Sequence, residues 1–235
     1  MWTIASREYA AFFRLPVGWL VTALFVCLSA VIFTRSCLAP GQPATMREFF
    51  GLWWSILIIV APSISMRLFS EELRTGTIET LLTSPVNEAA LVVGKFLAAW
   101  MFLATILAPT ICFVGVLWML AAPDPGPILS GYIGVMLLGM LYLAAGTLVS
   151  SLTSSQTLAF LGAMFLLIGA EVAAQRLSGL LSEPWSGLVD GFSVQPRMAD
   201  FARGVIDSAH VVFFVCAAVW CLGIATVLLQ SRRWR

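Results

Sequence analysis

An all-α integral membrane protein with six transmembrane helices is the fold class the sequence predicts, on three observations. Of 235 residues, 60% are hydrophobic and only 11% are charged, whereas soluble domains carry roughly 25% charged residues. Mean hydropathy is +0.96. Six apolar segments reach the length of about 17 to 25 residues that a helix needs to cross a bilayer. They lie near residues 15–33, 49–66, 91–120, 128–149, 157–174 and 211–230. Between them stand polar stretches with helical spacing: one before the first span, a bent pair between the second and third, and one between the fifth and sixth. Together they read as a single membrane domain over residues 1–235.

The first polar stretch places Trp2, Ala5, Tyr9, Phe12 and Phe13 near one helical face and Ser6, Arg7 and Arg14 elsewhere. That suits a helix lying in the headgroup plane. Arg7, Glu8 and Arg14 interrupt the first fourteen residues before any apolar core begins, unlike a cleavable signal peptide. Pro16 marks the turn into the first span. Pro62 lies within the second. The third segment exceeds what the hydrocarbon requires, so it is expected to tilt or to project at its amino end, where Lys95 can snorkel. Pro109 predicts a kink in it. Small residues four apart, Gly146 with Ser150 and Ala159 with Ala163, allow close helix approach within or between chains. After the fifth span, Met198, Phe201, Ala202, Val205 and Ile206 repeat at helical spacing, with Arg203 and Asp207 able to pair across one turn.

Orientation follows from the basic residues. With the amino terminus inside, the inner side holds Arg7, Arg14, Arg67, Arg74, Lys95, Arg232, Arg233 and Arg235, and the outer side Arg35, Arg47, Arg176, Arg197 and Arg203. The balance favours both termini in the cytoplasm of a multi-pass protein of the cytoplasmic, or inner, membrane. The closing Ser231-Arg232-Arg233-Trp234-Arg235 is a local anchor of the same sign.

Met66 to Ala90 is the densest charged stretch. Placing Arg67, Glu71, Glu72, Arg74 and Glu79 at bilayer depth would cost roughly 2.5 to 3.5 kcal/mol each, and the nearby leucines and Ile78 would return only about 0.3 to 0.6 kcal/mol apiece. The stretch therefore stays in water. Phe69 with Leu73, then Ile78 with Leu81 and Leu82, recur at helical spacing, which predicts two short amphipathic helices. Gly76 suits the left-handed end of the first, and Thr77 the cap of the second with Glu79 in its first turn. Pro85 closes the pair, and Asn87 caps the next long helix with Glu88 in its first turn. Spacing leaves two roles open, a protein-docking element or a helix resting on lipid headgroups.

The run Glu71-Glu72-Leu73-Arg74-Thr75-Gly76-Thr77-Ile78-Glu79-Thr80-Leu81-Leu82-Thr83-Ser84-Pro85, followed by Gly94-Lys95, resembles the motif after the second membrane helix of ABC-2 type transporter permeases. Ser150 to Gln156 is similar to that family's polar turn between helices four and five. Phe192-Ser193, Phe201 to Asp207 and the terminal Arg232-Arg233-Trp234 resemble the subfamily of gliding-motility and copper-processing permeases. The resemblance implies a membrane permease subunit, an exporter in most of the family, with an elbow helix before span one. The repeat from Met198 to Ile206 reads, by its spacing and place in the topology, as an external interfacial or re-entrant helix between spans five and six. The resemblance also implies a cytoplasmic coupling helix between spans two and three. It further implies that Glu71, Glu72, Arg74, Gly76, Thr77, Ile78, Glu79, Leu81, Leu82 and Pro85 contact an ABC-type ATP-binding subunit. Ile78, Leu81 and Leu82 would supply the apolar seat, and Glu71, Glu72 and Glu79 would meet basic groups.

No G-x-x-x-x-G-K-[ST] loop occurs, so the chain is not itself expected to be an enzyme or to bind a cofactor. ATP and Mg are expected in two copies of the partner ATPase, set below a second permease copy or a related permease. Membrane lipids complete the expected partners. A net charge of +1 gives no basic excess for nucleic acid. His210 is the only histidine, and Cys27, Cys37, Cys112, Cys216 and Cys221 form no C-x-x-C pair, so neither a metal site nor a disulfide framework is expected. Glu171, at the outer part of span five, is either a functional group at membrane depth or an interfacial residue bonded to neighbours such as Gln175 and Arg176. An intramembrane hydrolase would need a G-x-S-x-G stretch or a second histidine, and neither occurs. The alternative to a permease is a membrane anchor or assembly factor that binds an ATPase without transporting. Nothing in the spans selects a substrate.

Overall fold

The computed structural model describes residues 2–14, 16–37, 45–77, 87–121, 123–178 and 191–233. All regular structure among them is helical. Helix α1 (Trp2–Arg14) leads directly to α2 (Pro16–Cys37), the first span, with Pro16 at the turn as expected. The short α3 (Arg47–Gly51) precedes the second apolar stretch, Trp53–Thr75, which comprises α4 (Trp53–Ser65), a turn and the short α5 (Ser70–Thr75). The third comprises α6 (Glu88–Leu107), a 3-10 turn at Ala108–Thr110 and α7 (Ile111–Leu120), so Pro109 interrupts the helix where the sequence predicted a kink. Spans four and five are α8 (Pro125–Leu152) and α9 (Gln156–Ser178), then α10 (Val194–Ala202) and the sixth span α11 (Ser208–Arg233). Six helical stretches are long and apolar enough to cross a membrane, which makes this a multi-pass membrane protein.

The boundaries shift where a cap decides them. Span four starts at Pro125 because Asp124 Oδ1 accepts from the Gly126 amide at 3.1 Å and proline suits the first helical turn. Helix α10 stops at Ala202 rather than running through Ile206, since Gly204 adopts φ +96°. Val205 and Ile206 are consequently exposed, while Met198, Phe201 and Ala202 are buried. Asp207 does not pair with Arg203. Its Oδ1 accepts from the Ala209 amide at 2.8 Å at the start of α11, and Arg203 meets Asp200 at 3.6 Å instead.

Helix α8 stands at the centre, packed against α4, α6, α9, α10 and α11. Its glycines let neighbours come close: a methyl group on Gly134 would lie 2.7 Å from the Phe201 ring, and one on Gly146 would overlap Ser65. Gly146 and its companions Ala159 and Ala163 therefore serve packing within the chain. An aromatic cluster joins the other layers, with Phe33 stacked on Phe113 at 4.9 Å, Trp53 against Phe25 at 5.0 Å and Phe50 against Tyr132 at 5.1 Å. Each such pair is worth about 0.5–1.5 kcal/mol beyond the area it buries. Large side chains such as Trp220 and Leu24 face outward, as a lipid-facing surface requires.

Candidate functional site

Past Ser65 the chain turns through Met66–Phe69 before α5 begins. Ser150, near the end of α8, holds this turn: its hydroxyl accepts from the amides of Phe69 (3.1 Å) and Ser70 (3.2 Å) and donates to the Met66 carbonyl (3.2 Å). One hydroxyl thereby uses its donor and both lone pairs. The Ser70 hydroxyl also donates to the Met66 carbonyl. Sequence reasoning placed Ser150 only in a polar turn and a small-residue pair, and missed this role.

In α5, Glu71 and Glu72 occupy the first turn, where the helix dipole favours carboxylates. Glu71 pairs with Arg67 at 3.3 Å, and the Thr75 hydroxyl donates to the Glu71 carbonyl at 3.0 Å. Gly76 ends the helix at φ +72°, the left-handed conformation predicted for it. Arg74, Gly76 and Thr77 are exposed, with the Thr75 and Thr77 hydroxyls 2.9 Å apart. Ile78, Glu79, Leu81, Leu82 and Pro85 lie outside the described residues. The chain resumes at Asn87, whose side chain accepts from the Ala89 amide at 3.0 Å, the cap the sequence predicted.

Glu72 points back into the protein. Its Oε1 lies 2.7 Å from Lys95 Nζ on α6, and Glu8 Oε1 on α1 lies 3.4 Å from the same ammonium. Lys95 is only 2% exposed and sits 5.4 Å from the centroid of the Phe69 ring. It is an internal ion, not the snorkelling side chain the sequence suggested, because an ammonium at that depth is tolerable only when paired. Glu72 is likewise used within the chain, where the sequence suggested pairing with a partner. Its Oε2 is buried without a hydrogen bond. Around this triad α1 lies along α6, with Phe12 stacked on Phe102 at 4.6 Å and the Tyr9 hydroxyl 2.8 Å from that of Thr105. A cavity of about 80 Å³ remains between α1 and the turn, lined by Glu8, Phe12, Arg67, Leu68 and Glu71.

A second polar centre lies at the opposite end of the bundle. Glu171, 5% exposed, accepts from Gln175 Nε2 (2.9 Å), the Ser193 hydroxyl (2.8 Å) and the amides of Val194 (2.9 Å) and Gln195 (3.4 Å). It is the cap of α10, supplied from α9. This decides between the two sequence readings in favour of a residue bonded to its neighbours. His210 meets Asp200 at 3.1 Å and Arg197 at 2.8 Å rather than Asp207.

The family model described as ABC-2 family transporter protein matches residues 2–203. The chain belongs to this family. It is 29% identical over 178 residues to the probable multidrug ABC transporter permease YbhR of Escherichia coli K12, covering 75% of this chain and 47% of that protein. It is 30% identical over 171 residues to the probable ABC transporter permease protein NosY of Pseudomonas aeruginosa, covering 67% of this chain and 62% of that one. The chain thus spans about half to three fifths of the length of these relatives. The matched region includes α1, the α5 segment and α10, which places the Lys95 and Glu171 contacts inside the matched region, while His210 lies beyond it.

Proposed function

We propose that this chain is the membrane-spanning permease subunit of an ABC exporter and that α5, Gly76 and the residues after it are the seat of a separate ATP-binding subunit. The observation that carries the reading is the anchoring of α5. In a family member whose spans are almost free of charge, this six-residue helix is fixed to α1 and α6 through Lys95 and to α8 through Ser150. A free surface loop would have no use for such attachment. Arg74, Gly76 and Thr77 face solvent at its tip, and Ile78, Leu81 and Leu82 with Glu79 supply the docking chemistry. Two copies of the ATPase, holding ATP and Mg, act on two permeases arranged side by side, with both termini in the cytoplasm beneath the inner membrane.

ATP binding draws the ATPases together, α5 moves with them, and α4 and α6 carry the displacement across the bilayer. Pro62 inside α4 and the 3-10 turn at Pro109 supply the bending points. Helix α1 is the elbow helix, coupled to this motion through Glu8.

Purification of the tagged chain from its native membrane in mild detergent tests the reading. An ATP-binding cassette subunit is expected in stoichiometric amount and is to be lost when Ile78→Lys and Glu79→Lys are combined. Absence of any ATPase across several detergents would overturn the proposal.

A further inference from the structure

At the end of the bundle away from α5, helix α10 is fastened twice. Glu171 of α9 caps its amino end, and further along its Arg197 and Asp200 grip His210 of α11. The second fastening fixes a protonation state. A guanidinium can only donate, so His210 Nδ1, 2.8 Å from Arg197 Nη1, must be the acceptor, and the ring proton sits on Nε2 facing Asp200 Oδ2 at 3.1 Å. We infer that the Arg197–His210–Asp200 contact is an acid-labile latch on α10.

Protonation at Nδ1 turns the acceptor into a donor and opposes two cations at hydrogen-bond distance. Asp200 continues to hold the imidazolium, and Arg197 must withdraw. Its withdrawal also breaks the bond it donates to the Gly191 carbonyl and its packing 4.1 Å over the Phe213 ring, which together fasten the entry to α10 onto α11. Arg197 is held at some cost already. Its Nε is buried without a partner, and burial lowers the guanidinium below its ordinary range against the pull of Asp207. Among the described residues, the remaining charges near this end do not replace the contact: Arg203 pairs with Asp200, and the Asp207 carboxylate is bonded to the Ala209 amide. Glu171 is engaged at the amino end of α10. Arg176 on α9 and Arg47 and Glu48 on α3 are not bonded to the imidazole, and α4 and α8 carry no charged residue.

Hydrogen exchange read by mass spectrometry on the full chain in detergent tests this, at about pH 7.5 and about pH 5.5, with rates corrected for intrinsic exchange. Corrected exchange of residues 191–203 is expected to rise about tenfold on acidification, the net worth of about one hydrogen bond, with residues 135–150 of α8 unmoved. His210→Gln, which keeps a donor for Asp200 and does not titrate, is expected to abolish the rise. Arg197→Met, which removes the opposed cation and leaves His210 in place, is expected to abolish it too. Equal corrected rates at both pH values in the unmodified chain overturn the inference, and so does a rise that persists in either variant. The measurement needs neither transport nor an ATPase, so its failure and the failure of the proposed function are separate results.

Discussion

Lys95→Met isolates the electrostatic contribution of the triad, because methionine keeps most of the aliphatic stem while removing the charge. Lys95 is 2% exposed, and the carboxylates of Glu8 and Glu72 are 20% and 18% exposed. Removing the ammonium leaves two negative groups facing each other with little water between them. Breaking a buried pair by deleting one partner costs about 3–5 kcal/mol, and the partial exposure of the glutamates puts this case near the lower bound, at about 3 kcal/mol. For a chain of this size, about 2–4 °C of melting temperature is lost per kcal/mol. A fall of about 6–12 °C is thus expected in detergent, followed by tryptophan fluorescence. The triple variant Glu8→Gln, Lys95→Met, Glu72→Gln should recover most of it, since no unpaired charge remains. A single variant that melts within about 2 °C of the unmodified protein, or a triple variant no better than the single, would refute the idea that paired charge joins α1, α5 and α6.

Ser150→Ala removes the acceptor for two buried amides, and a destabilisation of about 2 kcal/mol is expected, together with faster hydrogen exchange confined to residues 66–72. Glu171→Gln replaces a carboxylate that only accepts with an amide that must also donate, at a cap made of donors. A loss of about 1–2 kcal/mol and increased protease cleavage near residues 191–202 are expected, with the α5 end unaffected.

Features governed by neighbouring residues were legible in the sequence. Pro16 and Pro109 act through their own backbone, Gly76 through its own φ, and Asn87 through the amide two positions on, so each could be predicted without knowing the fold. The six spans were legible because lipid demands apolar length. The contacts that give the α5 segment its position were not. Ser150 meets Phe69 across 81 residues of sequence, and Lys95 finds partners on both α1 and α5. No local pattern distinguishes a lysine that will be enclosed by two glutamates from one that reaches for headgroups. Glu171 was half legible: Gln175 lies one turn away and was named as a neighbour, whereas Ser193 and Val194 arrive only when α10 folds against α9. The end of α10 had a local sign in the sequence, Gly204 inside an apolar repeat that continues past it.

Helix α8 touches both polar centres' surroundings with a hydroxyl at each end. Ser130 donates to the Phe201 carbonyl of α10 at 2.7 Å, and Ser150 grips the turn before α5. Twenty residues of helix at 1.5 Å per residue put these anchors about 30 Å apart, and no proline or non-helical residue interrupts the stretch between them. A segment of that kind resists stretching and bends only gently. Under the proposed function it would serve as a pushrod beside α4 and α6, passing a displacement of the turn next to α5 to the Phe201 carbonyl at the other end of the bundle.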